Sequence, residues 1–290
     1  MLAATVLSAL LAATPFAGDQ VFLEVNGSPR IVIAGKVMPY YATALIYKSI
    51  PYASPTGSFL IPTPQRTVFH HDGTVSVWNG ELTVFTSEAK GYTELFHRDA
   101  ELTEIVPMRS DNFLVAEREG KLIEFNLAGR IVAEHPFDGA THVELLADQC
   151  TVLYTKGDRR VRRFNVCRDL PLSDFAELAT NAGSIRQLPH GDVIVASESS
   201  VYQFTRAGAI VRTWPYPGLT HLALTRDGDA FWGAGTVDGA PQLLRFDVTS
   251  FEAPAALAFT ERDVTGAVTD LVVADEWRNA KRAVKSRVVR

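Results

Sequence analysis

The stretch Leu188–Trp214, LPHGDVIVASESSVYQFTRAGAIVRTW, decides the fold. It reads as a turn, a strand of β-branched residues, a short reversal, a second strand ending at Phe204, a Gly turn and a third strand. Its repetition is the signal. One aromatic closes a short apolar run at Tyr47 (ALIY), Phe85 (LTVF), Phe125 (LIEF), Phe164 (VRRF), Phe204 (VYQF) and Phe246 (LLRF), at spacings of 38, 40, 39, 40 and 42 residues.

Another β-type run precedes each of the last five aromatics: GTVSVW, NFLVAE, CTVLYT, DVIVAS and DAFWGA. Reversal signals separate the runs, among them Asn79-Gly80, Glu119-Gly120, Gly157-Asp158 and Asp238-Gly239. After the aromatic come a polar turn and a further strand, as in RIVAEHPF and AIVRTWPY. A fourth strand opens each unit, seen in TEIVPM, HVELLA, SIRQLP and HLALT. Four strands in about 40 residues is the period of a β-propeller blade. The helical spacing of an α-solenoid is absent.

Whole units occupy about 65–96, 101–137, 141–175, 182–215 and 219–259. What remains is VFLEV, RIVIAG and ALIYK near the start and VTDLVVAD at 268–275. The expected architecture is therefore all-β, a propeller of six four-stranded blades with seven as the alternative. The last strand supplies the inner strand of a blade begun by the N-terminus, and this pairing of chain ends leaves no open edge in the ring.

A chain of 290 residues fits one such domain, expected over 19–277. Residues 1–18, MLAATVLSALLAATPFAG, are apolar and uncharged, as in a signal peptide, although they lack the Lys or Arg of a good n-region. Export to the periplasm or exterior follows from that reading; a cytoplasmic protein follows if the segment is not a signal. No membrane span is expected once it is removed. Residues 278–290 carry six basic side chains and no acid, leaving the rest with 22 basic against 33 acidic residues. An overall charge of −5 gives no reason to expect nucleic acid, and a monomer is expected.

The repeats resemble those of secreted bacterial six-bladed propellers in the broad NHL, SMP-30 and streptogramin-lyase-like group. The residues that carry the resemblance are CTVLYTKGDRRVRRFNVC at 150–167, SDFA at 173–176, LPHGDVIVASESSVYQF at 188–204 and LALTRDGDAFWGAGTVDGAPQLLRFDV at 222–248. They are specific for blade structure and nearly silent about activity.

Cys150 and Cys167 bracket a hairpin turning at Lys156–Arg159, and folding it about Asp158 and Arg159 sets them opposite one another within a one-residue bulge. A disulfide is expected, as exported proteins permit. His142 and His221 follow Thr at the same point of the fourth and sixth units, at the head of the inner strand. Imidazoles there can act as acid and base, and the resemblance to streptogramin lyases implies histidines at the propeller mouth. The resemblance to SMP-30-type lactonases implies a divalent metal, Ca or Mg, at the axis, for which Glu104, Glu144 and Asp270 on predicted inner strands are the candidates. Tyr40, Tyr41, Tyr47 and Tyr52 form a cluster suited to a ligand or sugar surface, or to the packing of an atypical first blade. His70 and His71 alternate across a strand and so suit turn chemistry better than one shared metal. No Gly-rich phosphate loop, GxSxG elbow or HExxH is present. The expectation is an exported binding scaffold whose partner is a protein, a small molecule or a carbohydrate. The alternative is a metal-assisted lactonase or lyase at the axis.

Overall fold

The computed structural model describes residues 19–276 apart from 34, 40–65, 70–73, 79–80, 89–90, 100–101, 111, 118–119, 127–128, 251, 262–263 and 275, with strand backbone alone over 66–99. The first three strands are β1 (Gln20–Val25), β2 (Ser28–Ile33) and β3 (Lys36–Pro39). The second blade holds β4 (Arg66–Phe69), β5 (Thr74–Trp78), β6 (Glu81–Glu88) and β7 (Gly91–Asp99). The third holds β8 (Leu102–Pro107), β9 (Phe113–Glu117), β10 (Lys121–Phe125) and β11 (Ile131–Pro136). The fourth has β12 (His142–Leu145), β13 (Thr151–Thr155), β14 (Arg160–Asn165) and β15 (Leu170–Glu177). The fifth has β16 (Ala182–Gln187), β17 (Val193–Ser197), β18 (Val201–Phe204) and β19 (Ile210–Trp214). The sixth has β20 (Leu219–Leu224), β21 (Ala230–Val237), β22 (Ala240–Asp247) and β23 (Ala255–Ala256). The short β24 (Ala258–Phe259) and β25 (Val268–Ala274) follow.

β25 pairs antiparallel with β1 from Gln20↔Ala274 to Val25↔Val268, so the first blade takes its innermost strand from the end of the chain. β24 then runs parallel to β3 and covers that blade's outer edge. The inner strands β4, β8, β12, β16, β20 and β25 each lie beside the next, and β25 returns to β4. Six blades close the ring, as the repeat count implied.

Local sequence explains the blades. Asp238 (φ 50°) and Gly239 (φ 78°) both adopt left-handed backbone between the paired ends Val237 and Ala240, as a two-residue hairpin with the right twist requires. Period-2 alternation sends successive residues of an inner strand into opposite interblade cores. Leu222 and Leu224 pack with Leu188, Trp214 and Phe246 of one core, whereas Ala223 joins Val21, Leu271 and Trp232 of the next. The repeating aromatics Phe125, Phe164, Phe204 and Phe246 are all buried, and Phe246 stacks on Phe231 at 4.6 Å. Trp214 and Trp232 are core residues too. Tyr40, Tyr41, Tyr47, Tyr52, His70, His71 and Trp277 lie outside the described residues, as do 1–18 and 278–290.

Cys150 and Cys167 form a disulfide with Cα atoms 5.1 Å apart. The hairpin register is Thr151↔Asn165, one residue from the fold axis expected at Asp158 and Arg159. Cys150 therefore stands opposite Val166, whose amide donates to its carbonyl at 2.8 Å, and the bond is made diagonally to the next residue. The bridge closes a loop of sequence separation 17. Replacing both cysteines by Ser is expected to cost about 3 kcal/mol by loop entropy. Urea unfolding of wild type and variant, with and without reductant, measures this; reductant should affect only the wild type.

Candidate functional site

The inner strands run in one direction round the axis, so residues at one register position share one height. Glu104 faces Ala116, His142 faces Thr155, His221 faces Ala234 and Asp270 faces Glu24, each in the equivalent place on the second strand of its blade. The pairing Arg186↔Ile194 puts Ser184 at the same level of the fifth blade. The residue after each of these is a buried aliphatic: Ile105, Val143, Ile185, Leu222 and Leu271. Four of the five axial candidates, Glu104, His142, His221 and Asp270, thus occupy one ring. Glu144 lies two residues deeper, level with Arg186 and Ala223.

At the ring, Glu104 Oε2 lies 3.6 Å from His142 Nδ1, and both side chains are mostly buried. The rings of His142 and His221 meet edge to face with centroids 6.1 Å apart. His221 Nδ1 lies 2.8 Å from Thr220 Oγ1. The corresponding threonine of the fourth blade is tied to the second strand of its blade, Thr141 Oγ1 donating to the Thr155 carbonyl of β13 at 3.1 Å. Two imidazoles and a carboxylate are therefore brought together by one register rule. Asp270 belongs to the same ring and accepts from the Leu271 amide at 2.8 Å.

Below the ring the chemistry changes. Glu144 is buried and accepts from the Gln187 amide at 3.1 Å. Gln187 accepts from the Ala147 amide at 2.8 Å and donates to the Gly191 carbonyl at 3.0 Å, stitching the fourth blade to the fifth. Arg186 is buried and donates through Nε to Glu276 Oε1 at 3.0 Å and through Nη1 to the Ile185 carbonyl at 2.7 Å. The same Glu276 oxygen accepts from the Leu224 amide at 2.7 Å. Burial works against the Arg186 charge, but Glu276, then Glu104 and Glu144, outweigh it and hold the guanidinium above its ordinary pKa.

Where the fourth and sixth blades carry a histidine, the fifth carries Ser184-Ile185-Arg186, and Arg186 is the cation round which the inner carboxylates are arranged. Nothing in an Arg on an apolar strand signals that role; its partner Glu276 is 90 residues away. Among the described residues, no group of three His, Cys, Asp or Glu side chains is disposed to hold a metal ion. The positive charge among Glu104, Glu144 and Glu276 is the guanidinium.

No protein-family model matches the chain, and no curated protein does. Solved structures do. The WD40 domain of Pan2 from Neurospora crassa superposes with a TM-score of 0.54 at 8% identity, over 67% of this chain and 66% of that one, just under two thirds of its length. A protein of unknown function from Bacteroides caccae gives 0.58 at 13% identity, over 89% of this chain and 99% of that one. What is shared is the propeller. At such identities the likeness is one of fold, and activity has to be argued from the site.

Glu276→Ala removes an acceptor from a buried guanidinium and from the Leu224 amide together. A loss of about 3–5 kcal/mol is expected, as for breaking a buried pair, read by denaturant unfolding. Glu198→Ala, at an exposed contact to Asn181, should stay within about 0.5 kcal/mol.

Proposed function

We propose that this chain is an exported β-propeller that works as a binding module, with its ligand received at the axial mouth where the inner strands begin. The observation that carries this reading is the ring of unlike polar groups, Glu104, His142 and His221, held at one height. Arg186 and Glu276 lie one level below and beyond them. Buried polar groups of this kind fix a ligand's orientation by their placement. The ligand is a small molecule, a carbohydrate or a projecting group of a partner protein. Export is supported by the apolar stretch 1–18 and by the Cys150–Cys167 bond, which persists in oxidising compartments. No helix among the described residues is long and apolar enough to cross a membrane. Within the propellers, the repeats align this chain with the NHL, SMP-30 and streptogramin-lyase-like group.

A thermal-shift screen of polar metabolites and sugars tests the mouth. A ligand that raises the wild-type melting temperature should lose its effect on the double variant His142→Ala/His221→Ala. A shift that survives the double substitution would place the ligand elsewhere and end this reading.

The second reading, a metal-assisted lactonase or lyase, is favoured by the Glu104–His142 pair, since a carboxylate beside an imidazole is a means of moving a proton. Glu104, Glu144 and Asp270 would supply oxygen ligands, but as placed they do not form a three-residue metal group with the histidines. Titration calorimetry with Ca²⁺, Mg²⁺ and Zn²⁺ is expected to give no saturable heat. Saturable binding that Glu104→Gln or Asp270→Asn abolishes would establish the metal reading instead.

A further inference from the structure

Seven large apolar side chains stand strongly exposed among the described residues: Met38, Ile131, Val132, Leu170, Leu172, Ile210 and Val211. Six of the seven sit at the head of the outermost strand in three consecutive blades, on β11, β15 and β19. Scattered exposed aliphatics need no explanation, but a concentration of them does. In each blade an exposed arginine precedes the pair in the turn: Arg130, Arg168 and Arg206. The three segments 126–132, 165–172 and 205–211 hold one carboxylate, Asp169, which lies 3.1 Å from the buried His135 ring.

The pairs lie at the same end of three neighbouring blades: Ile131 and Ile210 stand opposite Phe125 and Phe204, and in the fourth blade Leu170 and Leu172 flank Pro171, which stands opposite Phe164. This end lies by the tails of the inner strands, so the three pairs form an arc on the face away from His142 and His221. The middle of the arc is fixed in shape. Asp169 adopts left-handed backbone (φ 57°), Cys167 beside it is bonded to Cys150, and the contact to His135 bridges to the third blade.

Two kinds of occupant suit exposed aliphatics on outer strands. A strand adding itself to the sheet needs an uninterrupted row of free backbone groups. β15 opens with Leu170-Pro171, where one N–H is missing, and its pairing to β14 shifts register between Val161 and Arg163. The aliphatic pattern persists in that blade regardless, so it follows the surface and not the backbone edge. An arc of aliphatic side chains rimmed by guanidinium groups matches the other occupant. The chains enter the interfacial layer of a bilayer while the arginines meet lipid phosphates. We propose that this arc docks that face of the propeller against an anionic lipid surface, leaving the mouth at His142 and His221 open on the opposite face.

Co-sedimentation of the full chain with vesicles tests this, using pure phosphatidylcholine and phosphatidylcholine mixed with phosphatidylglycerol. Binding is expected to the anionic vesicles and to weaken in high salt. Ile210→Ser/Val211→Ser should lower partitioning about tenfold through lost apolar burial. Arg168→Glu should lower it by roughly fivefold or more. All three positions are exposed, and an unchanged melting temperature verifies that the variants fold. Equal sedimentation of wild type and variants would overturn the proposal, as would absence of binding to anionic vesicles. A variant that instead altered the oligomeric state in gel filtration would mark the arc as a protein contact and overturn it equally.

Discussion

Everything in this molecule depends on the antiparallel pairing of β1 with β25. A blade carries two edges. Stacking blades buries their faces and leaves an exposed seam wherever the ring fails to close. Five hydrogen-bonded sheets are each made from one continuous run of chain. The sixth is composite, built from residues 20–39 and 268–274 with β24 at its rim. Asp19 reinforces the join by accepting from the Trp232 indole at 3.1 Å, tying the first residues to the sixth blade. Asn26 does the same at the far end, receiving the Ala267 amide at 3.0 Å.

Closure has a second effect, on electrostatics. Inner strands that share a direction and a register must bring equivalent side chains together, whatever their chemistry. Glu104, Glu144 and Glu276 approach a region with little water, where unpaired charge is costly. Arg186 offsets them, and Glu276 reaches it from beyond the last strand. The arrangement gives a polar interior with one guanidinium among its carboxylates and leaves Glu104, His142 and His221 nearer the opening. A scaffold that fixes side-chain height by register alone can exchange the residues of one ring without changing the fold, which is how propellers of unrelated function keep a common shape.

Periodic features were readable in the residues. The aromatic at the end of the third strand, the Gly and Asp-Gly turns and the apolar inner strands recur at a fixed spacing, and each is a local consequence of one blade's packing. The composite first blade was readable as well, because strand-like runs at both ends had no other partner. His142 and His221 emerged because they share a position in two repeats. Convergence was not legible, since it depends on register. A one-residue slip reverses a side chain, and the sequence does not say whether Glu144 or its neighbour Val143 looks inward. Arg186 was passed over for the same reason: its meaning lies in Glu276, beyond the repeat. The offset at Cys150 and Cys167 shows that a hairpin can turn one position away from the expected register while the bond still forms.

The composite blade also governs how the chain can be made. About 240 residues separate the two strands that close the ring, so during synthesis the first three strands wait without their inner partner until β25 has emerged. Contacts of such long sequence separation are slow to form. The nascent protein spends that interval with unpaired strand edges exposed. The ring therefore cannot lock until β25 has joined β1.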